Sequence, residues 1–246
     1  MRLCITGRSH VAALKNAIQE GLFNPSPHEI TFLAASNSSY RTELRIENGV
    51  IRASGRARDM FLRTSDGQYD HLDPNKFDAL VIYGTFYHIQ MLFASIMRCT
   101  PQDSHLLSRA FLGKGVATWL SEQPTISTIK ALRCHTQIPI LLVFEPFFSE
   151  RYKANLPPDA RISPETRALV YEALNDVVRD AGAICLTQPD DTITDMVFSK
   201  DALSIGSKRL GGDEAPHDAE DFTHLNSQYG KIALDMIFGH LPAAAK

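Results

Sequence analysis

Two short segments near opposite ends of the chain carry side chains that can act together chemically. The first is the turn Gly7-Arg8-Ser9-His10, which follows an apolar strand pattern and precedes a helical one. The second is Asp221-Phe222-Thr223-His224. A serine hydroxyl is a weak nucleophile at neutral pH and needs an adjacent base, which a carboxylate in turn orients. Ser9, His224 and Asp221 are therefore predicted to form a nucleophilic triad.

Their local positions favour this chemistry. Unpaired N–H groups at the start of a helix stabilise an oxyanion beside Ser9. Gly7 allows a sharp turn and lets a substrate approach the backbone closely. Asp221 and His224 are three residues apart, so the carboxylate can steer the imidazole. The structural alternatives are that Ser9 is simply the N-cap of the helix and that Asp221 is a solvated cap.

The two segments resemble the SGNH hydrolases, a branch of the GDSL esterase/lipase superfamily. In that family the nucleophilic serine follows the first strand in a Gly-x-Ser block, and an Asp-x-x-His block precedes the last helix. Tyr229-Gly230 follows here as such C-terminal helices often begin. The resemblance implies a serine esterase, deacetylase or O-acyltransferase without a metal or other cofactor. It also implies a small-molecule ester substrate, such as an acylated carbohydrate.

The third family block, Gly-x-Asn, falls on Gly84-Thr85-Phe86. Phenylalanine replaces an asparagine whose amide would donate to the oxyanion, and loss of one such donor costs about 3 kcal/mol. We expect Thr85 or Tyr87 to take its place, with Gly7 and Gly84 beside them. No glycine of the second block follows the second strand. An unusual oxyanion hole, a transferase geometry and a non-catalytic protein that binds a sugar or nucleotide are the open interpretations.

The elements between these segments alternate between strands and helices, which predicts an α/β fold. Strand patterns cover residues 3–6, 30–33, 79–83, 140–144 and 183–186, and helical patterns cover 11–19, 89–98, 104–112, 126–133, 164–181 and 226–238. Period-2 alternation on both sides of Asn48-Gly49 predicts a small β-hairpin inserted after the second strand. We expect a three-layer, doubly wound, flavodoxin-like parallel sheet of about five strands. The strand order 2-1-3-4-5 is what the family resemblance implies.

Composition narrows the class of protein. The chain has 246 residues, 44% hydrophobic and 22% charged, which suits one α/β domain over residues 1–246. A net charge of −3 provides no basic field for nucleic acid. No apolar stretch reaches the length of a membrane span or of a secretory h-region. The four cysteines lack metal or disulfide spacing, so we expect a cytoplasmic protein. Its oligomeric state is not predicted.

Several other residues are weaker candidates for a site. His10 is a candidate for substrate binding, but we do not expect it to be the base for Ser9, because neighbouring residues do not share a helix face. His217 with Asp218 and Asp213 forms an alternative dyad, a chance metal cluster or, as the flexible context favours, a solvated loop. Glu145, after the fourth strand, is a possible substrate contact. The remaining candidates are an aromatic wall of Tyr83, Phe86, Tyr87, Phe147 and Phe148, and a basic cluster of Arg52, Arg56, Arg58 and Arg63, which is either a solvated face or an anion site.

Overall fold

A computed structural model of the chain describes residues 1–85, 89–99, 108–156, 161–210 and 215–241. Its strands are β1 (Arg2–Gly7), β2 (Glu29–Ala34), β3 (Leu44–Glu47), β4 (Val50–Ala53), β5 (His71–Leu72), β6 (Ala79–Tyr83), β7 (Ile140–Val143), β8 (Ile184–Leu186), β9 (Ile193–Thr194) and β10 (Phe198–Ser199). Its α-helices are α1 (Val11–Gln19), α2 (Asn37–Thr42), α3 (Gly55–Thr64), α4 (Ile89–Cys99), α5 (Arg109–Ser121), α6 (Pro124–Arg133), α7 (Pro164–Asp180) and α8 (Ser227–His240).

A five-stranded parallel sheet forms the centre, in the spatial order β2-β1-β6-β7-β8. Counted along the chain, the strands of this sheet have the order 2-1-3-4-5, which confirms the prediction. The central strand β6 is buried along its whole length, because helices cover both faces of the sheet. The protein therefore has the three-layer, doubly wound α/β architecture.

Each face of the sheet has its own hydrophobic core. Leu3 and Ile5 of β1 face α1 and α8, whereas Cys4 between them faces the opposite core, which α3, α4, α5, α6 and α7 cover. This period-2 alternation is what a strand buried on both sides requires. The helices α1 and α8 pack so closely that a Cβ atom on Gly230 would overlap the carbonyl oxygen of Ala13. The close contact fixes the start of α8 next to the start of α1.

The segment between β2 and β6 is the predicted insertion. Strands β3 and β4 pair in an antiparallel hairpin, and Asn48 and Gly49 at its turn have φ of 51° and 77°. Positive φ at both central residues is the geometry that favours Asn-Gly. The hairpin is thus confirmed, and the structure adds β5, which pairs with β4. A two-residue strand is too short to leave a period-2 pattern.

Most predicted elements have the expected bounds, and α1 and β6 match residue for residue. Helix α5 differs: it begins at Arg109 with Ser108 as its N-cap and continues to Ser121. The predicted helix ended at Leu112, before two glycines that the helix in fact includes, and residues 104–107 lie outside the described part. None of the helices in the described ranges is both long and apolar enough to cross a bilayer.

Candidate active site

Ser9, His224 and Asp221 lie together at the carboxyl edge of the parallel sheet. The Ser9 hydroxyl oxygen lies 2.9 Å from Nε2 of His224. Nδ1 of His224 lies 2.7 Å from Oδ2 of Asp221. A neutral imidazole with its proton on Nδ1 satisfies both contacts, because it donates to Asp221 and accepts from Ser9. This is the chain of contacts through which a base activates a serine.

The turn after β1 directs the Ser9 hydroxyl at His224, so this hydroxyl does not cap α1. His10 is the N-cap residue of α1, and no side chain caps that helix. The N-cap interpretation of Ser9 is therefore wrong. Gly7 ends β1, and a Cβ atom there would overlap the carbonyl oxygen of Tyr83 on β6. The close approach of two strands, rather than of a substrate, is what requires glycine at position 7.

The loop before α8 holds Asp221 and His224 in place. Oδ1 of Asp221 accepts hydrogen bonds from the Thr223 amide at 2.7 Å, the Thr223 hydroxyl at 2.8 Å and the His224 amide at 3.1 Å. Asn226 then caps α8 by accepting from the amides of Gln228 and Tyr229. One carboxylate oxygen thus organises the turn, while the other remains directed at the imidazole.

The electrostatics of Asp221 favour the ionised carboxylate. Burial raises its pKa, but the hydrogen bond and charge of His224 and the two Thr223 donors lower it more, so the pKa lies well below the usual range. Asp221 consequently keeps its negative charge throughout the pH range in which an imidazole titrates. That charge stabilises an imidazolium at position 224.

Two further histidines enclose the His224 ring. The ring of His217 stacks on it at 3.9 Å with an interplanar angle of 7°. The ring of His10 lies 5.1 Å away at 27°. Burial, followed by the charge of His224, lowers the pKa of His217 against the opposing effect of Asp221. His217 is therefore neutral at neutral pH, which limits the positive charge around His224.

His217 is not the solvated loop residue that its polar surroundings suggest. Its side chain is 12% exposed, and Nδ1 lies 3.1 Å from Oδ2 of Asp221. Of its two predicted partners, Asp218 is exposed and lies 3.8 Å from Arg209, and Asp213 lies outside the described residues. Donor atoms of His217, Asp221 and His224 lie within 4.8 Å of one another, a set that suits a metal ion. The hydrogen bond of His224 to Asp221 and the stacking of the His217 ring on His224 account for the same geometry.

Beneath the serine turn lies a buried ion pair between Arg8 and Glu145. The two residues are 3% and 2% exposed. Nε of Arg8 also donates to the carbonyl oxygen of Gly84 at 2.9 Å, and Nε2 of His10 lies 4.0 Å from Oε1 of Glu145. The Arg8–Glu145 pair therefore connects the loops after β1, β6 and β7. Glu145 is buried, which does not fit the substrate contact predicted for it. Removal of one partner would leave a buried uncompensated charge, which is strongly destabilising.

Arg151 connects the loop of Asp221 to the rest of the protein. Its guanidinium donates to the carbonyl oxygens of Ala219 at 2.6 Å and Asp221 at 3.1 Å. It also donates to Oδ1 of Asp201 at 2.6 Å and to the Ser204 hydroxyl at 2.8 Å. No sequence pattern indicates a role for Arg151, because it lies 70 positions before Asp221.

The residues predicted for the oxyanion hole differ in whether their donor groups are already hydrogen-bonded within the protein. The Gly84 amide donates to the carbonyl oxygen of Val143 at 3.0 Å, so it is not available to a ligand. The Thr85 hydroxyl accepts from the Thr125 hydroxyl at 3.1 Å, which leaves its own proton to donate. Tyr87 and Phe86 lie outside the described residues. Thr85 and Arg8 both line a cavity of about 320 Å³.

The predicted aromatic wall is wrong for the described residues. Tyr83, Phe147 and Phe148 are 0%, 1% and 5% exposed. Phe147 packs edge-on against Phe93, and Phe148 packs edge-on against Phe222. Aromatic side chains at strand ends are here part of the core that supports the loop of Asp221, and they do not face a ligand.

Comparisons with known proteins find a distant structural likeness and no family. No family model matches the chain, and no curated protein matches its sequence. A solved structure, a carbohydrate acetylesterase family member from Sinorhizobium meliloti, is similar over 96% of this chain and 95% of its own, with 12% identity and a TM-score of 0.38. So distant a likeness carries no argument about activity.

Proposed function

We propose that the protein is a serine esterase or O-acyltransferase that removes the acyl group of an ester. Ser9 is the nucleophile, His224 the base and Asp221 the residue that orients the base. The observation that carries the proposal is the continuous chain of contacts of 2.9 Å and 2.7 Å from the serine oxygen through the imidazole to a carboxylate. An acylated carbohydrate is the substrate class that the family resemblance implies.

In this mechanism the proton of Ser9 passes to Nε2 of His224 as the serine oxygen attacks the ester carbonyl. The imidazolium is stabilised by the carboxylate of Asp221. When the tetrahedral intermediate collapses, the same proton moves to the departing alcohol, and the acyl group stays on Ser9. Water, or the hydroxyl of an acceptor, then attacks the acyl-enzyme with His224 again as base. The choice between these nucleophiles separates a hydrolase from a transferase.

The oxyanion requires donors other than the missing asparagine amide. The N–H of Ser9 lies at the start of α1, where the helix dipole favours negative charge. The Thr85 hydroxyl is the second donor that we assign, since its hydrogen bond from Thr125 orients it and leaves its proton available. Preorganised donors of this kind stabilise the negative charge that develops on a tetrahedral intermediate.

Covalent labelling by a fluorophosphonate tests the assignment of Ser9. The probe reacts only with a serine that a base activates, so we expect one label per chain, found by mass spectrometry on the peptide that contains Ser9. Ser9→Ala and His224→Ala should both abolish labelling. Ser121→Ala is the matched control, because that serine is exposed and bonds to a helix carbonyl. A wild-type protein that takes no label, or takes it elsewhere, contradicts the proposal.

A second candidate is a non-catalytic protein that binds a sugar or nucleotide at the same edge of the sheet. The observation in its favour is that the Gly84 amide is bonded to Val143, while phenylalanine stands where the family has its asparagine donor. This candidate predicts saturable ligand binding, no turnover and near-normal affinity in His224→Ala. Labelling of Ser9 by the fluorophosphonate would contradict it.

Arg151 provides a test of how strongly the loop position controls the reaction. Arg151→Met removes the donors to Ala219 and Asp221, and a loss of position near 1 Å costs about 100-fold in rate. We expect kcat to fall about 10- to 100-fold with KM little changed, and Arg151→Lys to recover part of the loss. Arg179→Met is the control, since Arg179 is exposed on α7 and its ion pair, among the described residues, is with Asp176. A proportional rise in KM at constant kcat would show that Arg151 acts on binding instead.

A further inference from the structure

The ring of His217 covers one face of the His224 imidazole. The two ring centroids lie 3.9 Å apart, and the ring planes are within 7° of parallel. Nδ1 of His217 also lies 3.1 Å from Oδ2 of Asp221, the oxygen that contacts Nδ1 of His224. His217 therefore contacts both the proposed base and the carboxylate that orients it.

The backbone around His217 is held by hydrogen bonds. Residues 207–209 and 215–217 form a short antiparallel pair. The His217 amide donates to the carbonyl oxygen of Ser207 at 2.8 Å, and a second backbone bond of 2.9 Å joins the same two segments. A residue anchored in this way keeps its position, unlike a residue of a solvated loop. Its ring can therefore act as a rigid surface for the ring next to it.

The relative orientation of the two rings suits stacking better than it suits a metal ion. An ion bound through an imidazole nitrogen lies in the plane of that ring, because the nitrogen lone pair lies there. The planes of His217 and His224 are almost parallel, and one ring lies above the other, so they share no such point. Their donor atoms are close together, but they cannot bind one ion unless a ring turns. The short distances are therefore a consequence of the stacking.

The His224 ring has polar contacts at two of its atoms. Nδ1 contacts Asp221 and Nε2 contacts Ser9. Contacts at these two atoms do not stop the ring from rotating about the line that joins them. A flat neighbour against the face of the ring does stop it, because the rotation would drive the edge of the ring into that neighbour. The ring of His10 is farther away, at 5.1 Å and 27°, so His217 makes the close contact with the face.

This contact matters most after the first step of the proposed reaction. Once the Ser9 oxygen carries the acyl group it has no proton, and it is then a poor partner for Nε2 of His224. In the second step the ring takes the proton of water or of an acceptor hydroxyl as that oxygen bonds to the acyl carbon. The ring then returns the proton to the Ser9 oxygen as the bond between this oxygen and the acyl carbon breaks. A ring that has rotated away can do neither.

We propose that His217 is a positioning residue, whose stacked ring holds His224 in place while the acyl group is removed from Ser9. The inference rests on the proposed function for the identity of the reaction. It predicts that loss of the His217 ring slows the second step of that reaction and leaves the first step almost unchanged.

Two substitutions of His217 separate its flat ring from its polar atoms. His217→Phe keeps a ring that can stack but loses the contact of Nδ1 with Asp221. It breaks no hydrogen bond at Nε2, which is buried and has no partner among the described residues. His217→Asn keeps a polar group near Asp221 but loses the ring. His240→Asn is the control, since the His240 side chain is exposed and bonds to a helix carbonyl.

Single-turnover kinetics with the enzyme in excess over 4-nitrophenyl acetate measures both steps. Release of 4-nitrophenol reports acylation, and loss of the acetyl group from the intact protein, followed by mass spectrometry, reports deacylation. We expect His217→Asn to slow deacylation about tenfold, the rate equivalent of one aromatic stacking contact, and acylation by less than about twofold. His217→Phe and His240→Asn should keep the wild-type deacylation rate. Equal slowing of both steps, or slower deacylation in His217→Phe than in His217→Asn, overturns the proposal.

A measurement without substrate separates this inference from the proposed function. Ser9→Ala leaves Nε2 of His224 without its hydroxyl partner, as acylation does. The proton on Nδ1, between His224 and Asp221, gives a downfield signal in proton NMR as long as the ring stays in place. We expect that signal in Ser9→Ala and in Ser9→Ala/His217→Phe, and its broadening or loss in Ser9→Ala/His217→Asn.

This NMR result supports the positioning of His224 by His217 even if the fluorophosphonate fails to label Ser9. A signal that is equally sharp in Ser9→Ala/His217→Asn, or that is missing from Ser9→Ala itself, overturns the proposal. If His217→Asn does not fold, His217→Leu fills the same space without a flat ring and takes its place in both experiments.

Discussion

Ser9→Ala is expected to lower kcat for ester cleavage by about 10⁵- to 10⁶-fold, the loss that removal of a triad serine causes in serine hydrolases. Alanine cannot form the acyl intermediate, and His224 then has no hydroxyl to deprotonate. Steady-state hydrolysis of a short-chain aryl ester measures the effect. Because the residual rate is near the background, the assay must compare Ser9→Ala with buffer at equal substrate concentration.

The fold should survive this substitution. Ser9 contributes one hydrogen bond to His224, worth about 1 kcal/mol, which shifts Tm of a chain of this size by about 2–4 °C. Ser121→Ala controls for the loss of any serine. A Ser9→Ala protein that melts normally yet keeps wild-type activity would rule out Ser9 as the nucleophile. Lost activity with a collapsed melting transition would instead require Ser9→Gly, which makes the same deletion with a smaller side chain.

The parts of the fold that were predictable are those with a local signature. Strand β6 is an unbroken apolar run, and the hairpin has Asn48-Gly49 at its turn, so each could be recognised within a few residues. The triad segments were equally local, because Ser9 follows a strand directly and Asp221 precedes His224 by three positions. The strand order came from the resemblance, since periodicity describes single elements and not their neighbours.

What could not be predicted depends on contacts between distant parts of the chain. Arg8 and Glu145 are separated by 137 positions, and no pattern shows that a charged residue after β7 is buried against one after β1. His217 was assigned to a solvated loop because its neighbours are polar, whereas its ring is covered by His224. The prediction of an aromatic wall was wrong because aromatic residues at strand ends give the same sequence pattern whether they face a ligand or the core.

His10, His217 and His224 are close enough for the charge of one ring to affect the others. The ring of His224 lies between His217 and His10, and a positive charge on either neighbour would oppose the imidazolium that the proposed mechanism forms. The lowered pKa of His217 keeps that neighbour neutral. The carboxylate of Asp221, which contacts Nδ1 of His224, then favours the positive charge at position 224.

Asp221→Asn is expected to lower kcat by about 10⁴-fold while substrate affinity stays near the wild-type value, as loss of the carboxylate does in other triads. An asparagine amide can direct an N–H at Nδ1 of His224, which would move the imidazole proton to Nε2 and remove the acceptor for Ser9. The imidazolium also loses its counter-charge. Asp218→Asn is the matched control, because Asp218 is 91% exposed and three positions away.

The pH profile distinguishes this effect from a misfolded loop. In the wild type the pKa of Asp221 is far below its usual range, so protonation of this carboxyl is not what limits activity on acidification. In Asp221→Asn the imidazolium is less stable, so the acid limb of the residual activity should move to lower pH. A variant whose kcat stays within about tenfold of the wild type and whose acid limb does not move would exclude Asp221 from the triad, since neither orientation nor charge would then depend on it.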